Sequence, residues 1–434
     1  MKLLELIRGM ELQNNWGLLG PETLPSSRRT RTLGVAASVR RFNELAVPGL
    51  GGVWYAKQLL FPLLGIAIAQ VARNEGAKVN NIEMANSIEA LACWLAFKSN
   101  RWGSDPRLRG RTKLGKGADL TFSNVRKRSF YVTQPMRMAT VQTLPALGFV
   151  ETENPRFNSF SLAQAGATFV ELVCKNSLHK NLVEWVRNSA DIWKTTRGQV
   201  LSPLLPLDAD AREFLRDRLK IGGTIESQGD KIRRRNALAW MESIQRSNLP
   251  KSNWDTKPES IDETHWHDLV AGAKFFKVRD AAIQVLDALE AHIGNQTKVK
   301  AYSLEQPSPI DARLLLELNN AANAFLDTEN VDKDAVLFCR ECASPDFAQV
   351  LRFLVTRDGQ VLKLIAEEIK PGPAFRGFNL GVDEVNEESD TPNSDDIPLP
   401  DGISYRMRNL YLLNLDLNDE LDTSFKAAAI GEAT

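Results

Sequence analysis

The stretch that decides the fold of the first half of the chain is Gln134-Pro-Met-Arg-Met-Ala-Thr-Val-Gln-Thr-Leu-Pro-Ala-Leu-Gly148. Its apolar side chains recur at helical spacing, and the final glycine predicts the end of a helix. The next segments, Phe149–Glu151 and Phe157–Leu162, are joined by the polar turn Thr152–Arg156, which predicts a short two-stranded hairpin. A second amphipathic helix is predicted to begin near Ala163.

This order of elements resembles the end of a winged helix-turn-helix domain, over roughly residues 130–175. In that superfamily the recognition helix ends in a Leu-Gly-aromatic-Val-Glu phrase, which Leu147-Gly-Phe-Val-Glu151 matches. The closing helix opens with a phrase matched by Phe160-Ser-Leu-Ala-Gln-Ala-Gly166, although Ala163 replaces the usual capping threonine. The resemblance implies DNA as the partner of this module.

The predicted recognition helix has a weak reading face. Wrapping residues 135–147 at 100° per residue directs towards the core Met136, Val141, Leu144 and Leu147. The opposite face carries Met138, Ala139 and Gln142, with Arg137 at its flank. Gln142 alone offers bidentate base-reading chemistry. We therefore expect binding mainly through phosphates and through Arg156 in the wing, or else a winged helix that docks protein.

Positive charge is concentrated directly before this region, although the whole chain has no net charge. Between residues 101 and 128, here called the basic segment, Asp105 and Asp119 oppose nine cations: Arg101, Arg107, Arg109, Arg111, Lys113, Lys116, Arg126, Lys127 and Arg128. Several glycines predict a loop. Such cations neutralise phosphates and release counterions, so the segment predicts nucleic-acid binding that does not depend on base sequence.

Two further patterns bear on phosphate binding. A second basic cluster opens a predicted helix and consists of Lys231, Arg233, Arg234 and Arg235. Because consecutive helical positions point in different directions, we expect at least two of its three arginines to reach solvent. The stretch from Gly110 to Gly117 approaches a phosphate-cradling loop. It has glycine where magnesium binding needs Ser or Thr, so we expect no nucleotide partner.

An enzymatic alternative lies near the C-terminus. Residues 349–356 and 360–369 are predicted as strands of a hairpin that turns at Asp358-Gly359. With the preceding Pro345-Asp346 and the following Glu-Ile-Lys, the pattern resembles the PD-(D/E)xK nuclease motif. That resemblance implies a divalent cation such as Mg²⁺ held by Asp346 and Glu368, with Lys370 assisting the attacking water.

The whole chain is predicted to be mainly α-helical and multidomain. We expect an N-terminal helical region at 1–100, the basic segment with a winged helix at 101–175, and a helical domain at 176–330. Residues 331–434 are predicted as a small α+β unit with an antiparallel sheet and an acidic linker at 383–401. Its further strands are expected at Val336–Cys339 and Tyr405–Leu417.

Other functional classes find little support in the sequence. Cys93, Cys174, Cys339 and Cys342 form no disulfide framework, which is typical of a cytoplasmic protein. Cys339-Arg-Glu-Cys342 lacks the second pair that a zinc site needs, and His265-Trp-His267 favours a structural role. The eleven apolar residues Leu59–Ala69 are too few for a membrane span, which needs about 20. We therefore expect no membrane, metal or cofactor.

The sequence thus predicts a DNA-binding, non-enzymatic subunit of a larger multiprotein assembly with partner protein subunits. By analogy, prokaryotic genome-defence and antiviral systems contain many such proteins. Two alternatives stay open: the metal-dependent nuclease, and an interaction scaffold whose winged helix docks protein.

Overall fold

The computed structural model describes residues 31, 33–174, 176–189, 193, 199–247, 251–296, 301–305, 312–377 and 397–425. The protein is mainly helical with small antiparallel sheets, which confirms the predicted class. Two compact units divide the chain. The larger unit comprises residues 35–280, 320–340 and 381–434, and the smaller comprises 1–34, 281–319 and 341–380. Both units combine stretches that are distant in the sequence.

In chain order the helices are α1 Ala36–Ala46, α2 Lys57–Asn74, α3 Asn81–Ser99, α4 Phe122–Val125, α5 Arg137–Thr140, α6 Thr143–Ala146, α7 Gln164–Val173, α8 Asn176–Asn188, α9 Ala209–Ile221, α10 Gln228–Ser247, α11 Glu263–Gly294, α12 Ala312–Leu326, α13 Lys333–Cys342, α14 Phe347–Asp358 and α15 Tyr405–Leu417. The strands are β1 Val150–Glu151, β2 Ser161–Leu162, β3 Tyr302–Ser303, β4 Leu362–Ile365 and β5 Glu368–Pro371. Short 3₁₀ turns occupy Phe157–Ser159 and Gln199–Leu201.

Helices α2 and α3 form the centre of the larger unit. These two helices pack against each other along much of their length. Their close approach depends on Gly65, because a Cβ there would lie 2.5 Å from the Cα of Ala85. A capping box starts α3: the Asn80 side chain accepts from the Glu83 N–H, and the Glu83 carboxylate accepts from the Asn80 N–H.

The predicted helix over 135–147 is divided into α5 and α6. The carbonyl of Ala139 accepts the N–H of Gly52 at 3.0 Å instead of continuing the helix, and Pro145 has no N–H to offer Val141. The core face is as predicted, since Met136, Leu144 and Leu147 are buried. Gly148 ends this region at φ +71°, in the left-handed conformation that favours glycine.

The predicted hairpin after Gly148 is present. Val150 pairs with Leu162 and Glu151 with Ser161 in an antiparallel register. Helix α7 then begins after Ala163, whose side chain makes no capping hydrogen bond.

Three predicted strands were wrong, because the residues form helices. Residues 336–339 lie in α13, and the N–H of Ala335 binds the carboxylate of Asp332 at 2.9 Å. Residues 349–356 lie in α14, whose buried Val350, Leu351, Leu354 and Val355 follow helical spacing. Tyr405–Leu417 is α15, buried around most of its circumference, so its apolar run imitates a buried strand.

The C-terminal hairpin exists, but its turn is shifted along the chain. Gly359, at φ +60°, ends helix α14 instead of forming the predicted hairpin turn. Strands β4 and β5 turn at Ala366-Glu367, with Ile365 opposite Glu368. Strand β3 adds to the other edge of β5, which gives the small antiparallel sheet of the smaller unit.

Residues 383–396 of the predicted acidic linker lie outside the described residues. Leu59–Ala69 lies within the buried helix α2. Among the described residues, no helix combines the length and apolar character that crossing a membrane requires.

Candidate nucleic-acid interface

The basic segment is an irregular loop that is anchored to the larger unit at several points. Leu108, Leu114 and Leu120 are buried in the core. The indole N–H of Trp94 donates to the carbonyl of Gly115 at 3.1 Å, and that of Trp185 donates to the carbonyl of Leu120 at 2.7 Å. These contacts hold the backbone in one arrangement. The loop therefore loses its conformational entropy when the protein folds, and little more is lost when a ligand binds.

Three cations of the basic segment form ion pairs or hydrogen bonds within the protein. Arg107 is buried and pairs with Asp105 at 2.9 Å and with Asp422 at 2.7 Å. Arg109 is buried and donates to the carbonyl of Gln134 at 2.7 Å. Arg126 is half-buried, 2.7 Å from the carboxylate of Glu83. These side chains support the loop, and we leave them out of the contact surface.

Six cations of the basic segment stand in solvent: Arg101, Arg111, Lys113, Lys116, Lys127 and Arg128. Of the two acidic residues in the segment, Asp105 is engaged with Arg107 and Asp119 is exposed. The exposed part of the segment therefore remains strongly positive.

A buried polar cluster lies beneath the segment. The carboxylate of Glu89 on α3 accepts the N–H of Met136 at 2.8 Å, and the hydroxyl of Tyr131 donates to Cys93 Sγ at 3.3 Å. Burial raises the pKa of Glu89, while nearby Arg109 acts in the opposite direction. Burial also raises the pKa of Cys93 to about 12, so this thiol stays protonated and unreactive. The cluster ties α3 to the start of α5.

An open pocket of about 930 Å³ lies between the C-terminal end of α3 and the basic segment. Two tryptophans in it lie under ammonium groups: Lys98 Nζ is 5.2 Å from the Trp94 ring centroid, and Lys116 Nζ is 5.9 Å from that of Trp102. Arg101 also lines the pocket, whereas Asp119 is the single acid among the described residues that line it. We call this the tryptophan pocket. Aromatic rings and cations together suit a ligand that is both aromatic and anionic.

Trp94, Lys98 and Trp102 were not predicted from the sequence as part of a site. A signal for the first two was present, since Trp94 and Lys98 are four residues apart and therefore adjacent on one helix face. Trp102 could not have been placed, because its ring returns to α3 through an unusual backbone conformation.

That conformation is left-handed at two successive non-glycine residues, Arg101 at φ +52° and Trp102 at φ +64°. Such positions cost on the order of 1–3 kcal/mol each and persist where the surroundings dictate them. The N–H of Trp102 donates to the carbonyl of Phe97 at 2.8 Å, and its ring stacks on that of Phe97 at 5.9 Å between centroids. The strain places an indole beside the surface cations.

The exposed face of the predicted recognition helix is occupied by intramolecular contacts. The amide of Gln142 donates to Glu44 at 2.5 Å and accepts from Arg406 at 2.8 Å, so both ends of this base-reading group are engaged. Arg137 is half-buried, donates to Asn86 at 2.7 Å and lies over the ring of Phe157. Arg156, in the turn of the β1–β2 hairpin, is exposed.

That same face borders a second open groove of about 970 Å³. Its walls carry two guanidinium groups, Arg40 and Arg406, and four carboxylates: Glu44, Glu153, Glu226 and Asp230. Three large apolar side chains also line it and are more than two-fifths exposed: Met138, Ile225 and Tyr405. We call this the acidic groove. Two of these carboxylates are paired, Glu44 with Arg406 and Glu226 with the buried Arg234, which leaves Glu153 and Asp230 against Arg40. This small negative excess does not favour phosphate, so the predicted reading face is poorly suited to DNA.

The second basic cluster is mostly internal. Arg234 is fully buried and Arg233 is half-buried, with its guanidinium 2.7 Å from Asp268. Lys231 is half-buried and Arg235 is exposed, so one arginine fewer than expected lies fully in solvent. Arg235 remains as the exposed cation of the cluster.

The residues of the nuclease alternative are engaged locally. Asp346 is the N-cap of α14 and accepts from the Ala348 N–H at 2.9 Å, while Glu368 pairs with Lys370 at 2.7 Å. Residues 349–356, predicted as the strand between Asp346 and the hairpin turn, are helical. Within the described ranges, no group of three or more His, Cys, Asp or Glu side chains could hold a metal ion.

The remaining candidates are buried or hydrogen-bonded. Cys339 and Cys342 are both buried, and neither forms a disulfide. His265 is buried with Nε2 2.9 Å from the Ala46 carbonyl, and His267 Nε2 lies 2.9 Å from the carbonyl of Thr328. Burial lowers the pKa of His265, which favours its neutral form.

Comparisons with known protein families, curated proteins and solved structures found no match to this chain.

Proposed function

We propose that this protein binds nucleic acid through phosphate contacts made by the exposed cations of the basic segment. The observation that carries the proposal is the placement of six exposed cations on a loop whose backbone and apolar side chains are anchored in the core. An anchored loop presents its charges without a large ordering cost, and each phosphate contact releases counterions.

The basic segment is attached to α3 at two well-separated positions. The basic segment leaves the C-terminal end of α3 near Trp94 and returns to its N-terminal end, where Arg126 contacts Glu83. These two positions are eleven residues apart in one helix, or roughly 16 Å at 1.5 Å per residue. That distance corresponds to about five phosphates at roughly 3.4 Å of rise along one strand.

The β1–β2 hairpin supports the same surface. Its 3₁₀ turn packs on the N-terminus of α3, where Asn81 donates to the Phe160 carbonyl at 2.8 Å and the Ile82 N–H donates to Asn158 at 3.0 Å. Arg126 reaches the same end of the helix. We therefore assign residues 130–175 to the winged-helix superfamily as a proposal, with the wing rather than the recognition helix beside the nucleic acid.

A second candidate function, protein docking, is supported by the acidic groove. Its three exposed apolar side chains offer area to bury, and its excess of carboxylates selects a partner segment that carries basic residues. Together the two surfaces fit a nucleic-acid-binding subunit of a larger assembly.

The test is the salt dependence of binding to a 20-base-pair DNA duplex, measured by fluorescence anisotropy. If all six cations touch phosphate, affinity falls about a thousandfold between 50 and 200 mM salt. The double variant Arg111→Gln/Lys113→Gln should reduce the slope of log affinity against log salt by about 2. Lys277→Gln, which alters an exposed lysine of α11 outside the segment, is the matched control.

The proposal is refuted if binding is absent, or if it responds weakly to salt. It is also refuted if the control variant weakens binding as much as the double variant does. A measurement of thermal unfolding shows whether both variants keep the fold, which we expect because all three side chains are exposed.

A further inference from the structure

The tryptophan pocket combines features that phosphate contact alone does not use. A flat surface of cations is sufficient for phosphates, whereas this pocket is about 930 Å³ in volume and places Trp94 and Trp102 among Lys98, Arg101 and Lys116. Its volume lies in the range of small-molecule sites, which is ample for one nucleotide. Trp102 is half-buried and so keeps part of its indole accessible.

We propose that this pocket holds an unpaired base of a single-stranded nucleic acid, stacked on Trp102, with the flanking phosphates held by Arg101 and Lys116. This inference rests on the proposed function and names its ligand class. Every nucleotide joins a π-face to an anionic phosphate, which matches the two kinds of side chain present. Bases in an intact duplex are stacked on each other and do not reach such a pocket.

The contacts in the pocket allow a base to replace the Lys116 ammonium over the Trp102 ring. Lys116 lies over the Trp102 ring, but its side chain is exposed and its ammonium is free to swing away on its flexible stem. A cation–π contact at an exposed site is weaker than base–aromatic stacking, so an incoming base displaces the ammonium. The displaced ammonium then gains a phosphate, which is a stronger partner than the indole.

The backbone keeps the indole ready for the base. The left-handed residues Arg101 and Trp102 turn the chain so that the Trp102 ring rests on Phe97. A ring held in advance loses little further freedom when a base stacks on it. Strained backbone next to an aromatic and cationic pocket is the pattern expected where a ligand binds.

The experiment compares three probes on the full chain: a 15-nucleotide oligothymidine, a 15-base-pair duplex and thymidine monophosphate. Base–aromatic stacking predicts that Trp102→Leu weakens oligothymidine binding about 5- to 150-fold and leaves duplex binding unchanged. Trp102→Phe keeps a stacking surface and should retain most of the affinity. Lys113→Gln, outside the pocket, should weaken both nucleic acids by a similar factor.

A second measurement avoids any dependence on the folding of the variants. Oligothymidine carrying one 5-iodouracil is irradiated with the unaltered protein, and the adduct is located by mass spectrometry. We expect the crosslink at Trp102 or Trp94. Crosslinks confined to other residues overturn the proposal.

The outcomes separate this inference from the proposed function. If duplex and single strand both bind, and Trp102→Leu weakens neither or both equally, base stacking is overturned and phosphate binding stands. If neither nucleic acid binds, the proposed function falls and this inference with it. If thymidine monophosphate binds as tightly as the oligomer, the pocket is a mononucleotide site, and the single-strand proposal is overturned.

Discussion

Replacing Arg234 by methionine should destabilise the protein far more than replacing its neighbour Arg235. Arg234 is completely buried, and its guanidinium donates to the carbonyls of Leu219 at 2.8 Å and Pro48 at 3.0 Å. It also forms a two-point ion pair with Glu226, with 2.6 Å between Nη2 of Arg234 and Oε2 of Glu226. Arg235, the next residue of α10, is exposed.

The expected magnitude follows from what each change leaves behind. Removing Arg234 leaves the carboxylate of Glu226, which is 7% exposed, without its counter-ion, and breaking a buried pair from one side costs about 3–5 kcal/mol. The surface change at Arg235 should stay within about 0.5 kcal/mol. Methionine and arginine have similar helix propensities, so the helix itself contributes little to the difference.

Thermal and urea unfolding, followed by tryptophan fluorescence, measure both variants. The double variant Arg234→Met/Glu226→Gln should lose less stability than the sum of its two single changes, since it removes both charges of the pair. Equal stability of the Arg234 and Arg235 variants would refute the assignment of Arg234 as a buried structural cation. Additive losses in the double variant would refute the ion pair as the cause.

Two further predictions concern the core of the larger unit. Lys57 is 3% exposed, and its Nζ lies 2.8 Å from the Val200 carbonyl. Burial lowers the pKa of Lys57 to about 8, so folding favours the neutral amine. The stability that this group contributes therefore rises as the pH increases from 8 towards 10.5. Between pH 7 and 9.5 the free energy of unfolding should therefore increase by about 2 kcal/mol relative to Lys57→Met, and parallel pH profiles in urea titrations would contradict this. Gly65→Ala should lower the free energy of unfolding by about 1–3 kcal/mol, because the added Cβ would lie 2.5 Å from the Ala85 backbone. Gly115→Ala should be nearly neutral in thermal unfolding, because a Cβ there meets nothing within 4 Å.

Much of the local structure could be predicted from the sequence. The α2–α3 pair, the hairpin after Gly148 and the buried face of Met136, Leu144 and Leu147 all follow from apolar spacing and a helix-ending glycine. The failures at 336–339, 349–356 and 405–417 share one cause. Apolar-rich stretches suit a strand or a buried helix equally. Helix-capping groups such as Asp332, Asp346 and Ser404 decided for the helix.

The candidate site was predicted in part. The concentration of positive charge between 101 and 128 is a property of the sequence, but which cations reach solvent is not. Arg107 and Arg111 are alike in the sequence, yet Asp422, more than 300 residues later, lies 2.7 Å from Arg107. Likewise Gln142 has base-reading chemistry in isolation, but Glu44 and Arg406 engage both ends of its amide.

The sequence by itself determined the helical class, the hairpin after Gly148 and the location of the positive charge, because these depend on neighbouring residues along the chain. Tertiary structure alone decided which charges pair internally, and it brought Trp102 back to Phe97 beside Lys98 and Lys116. The Arg107–Asp422 ion pair joins residues far apart in the chain, and the Trp102–Phe97 contact depends on a left-handed backbone at residues 101 and 102; local spacing carries no information about either.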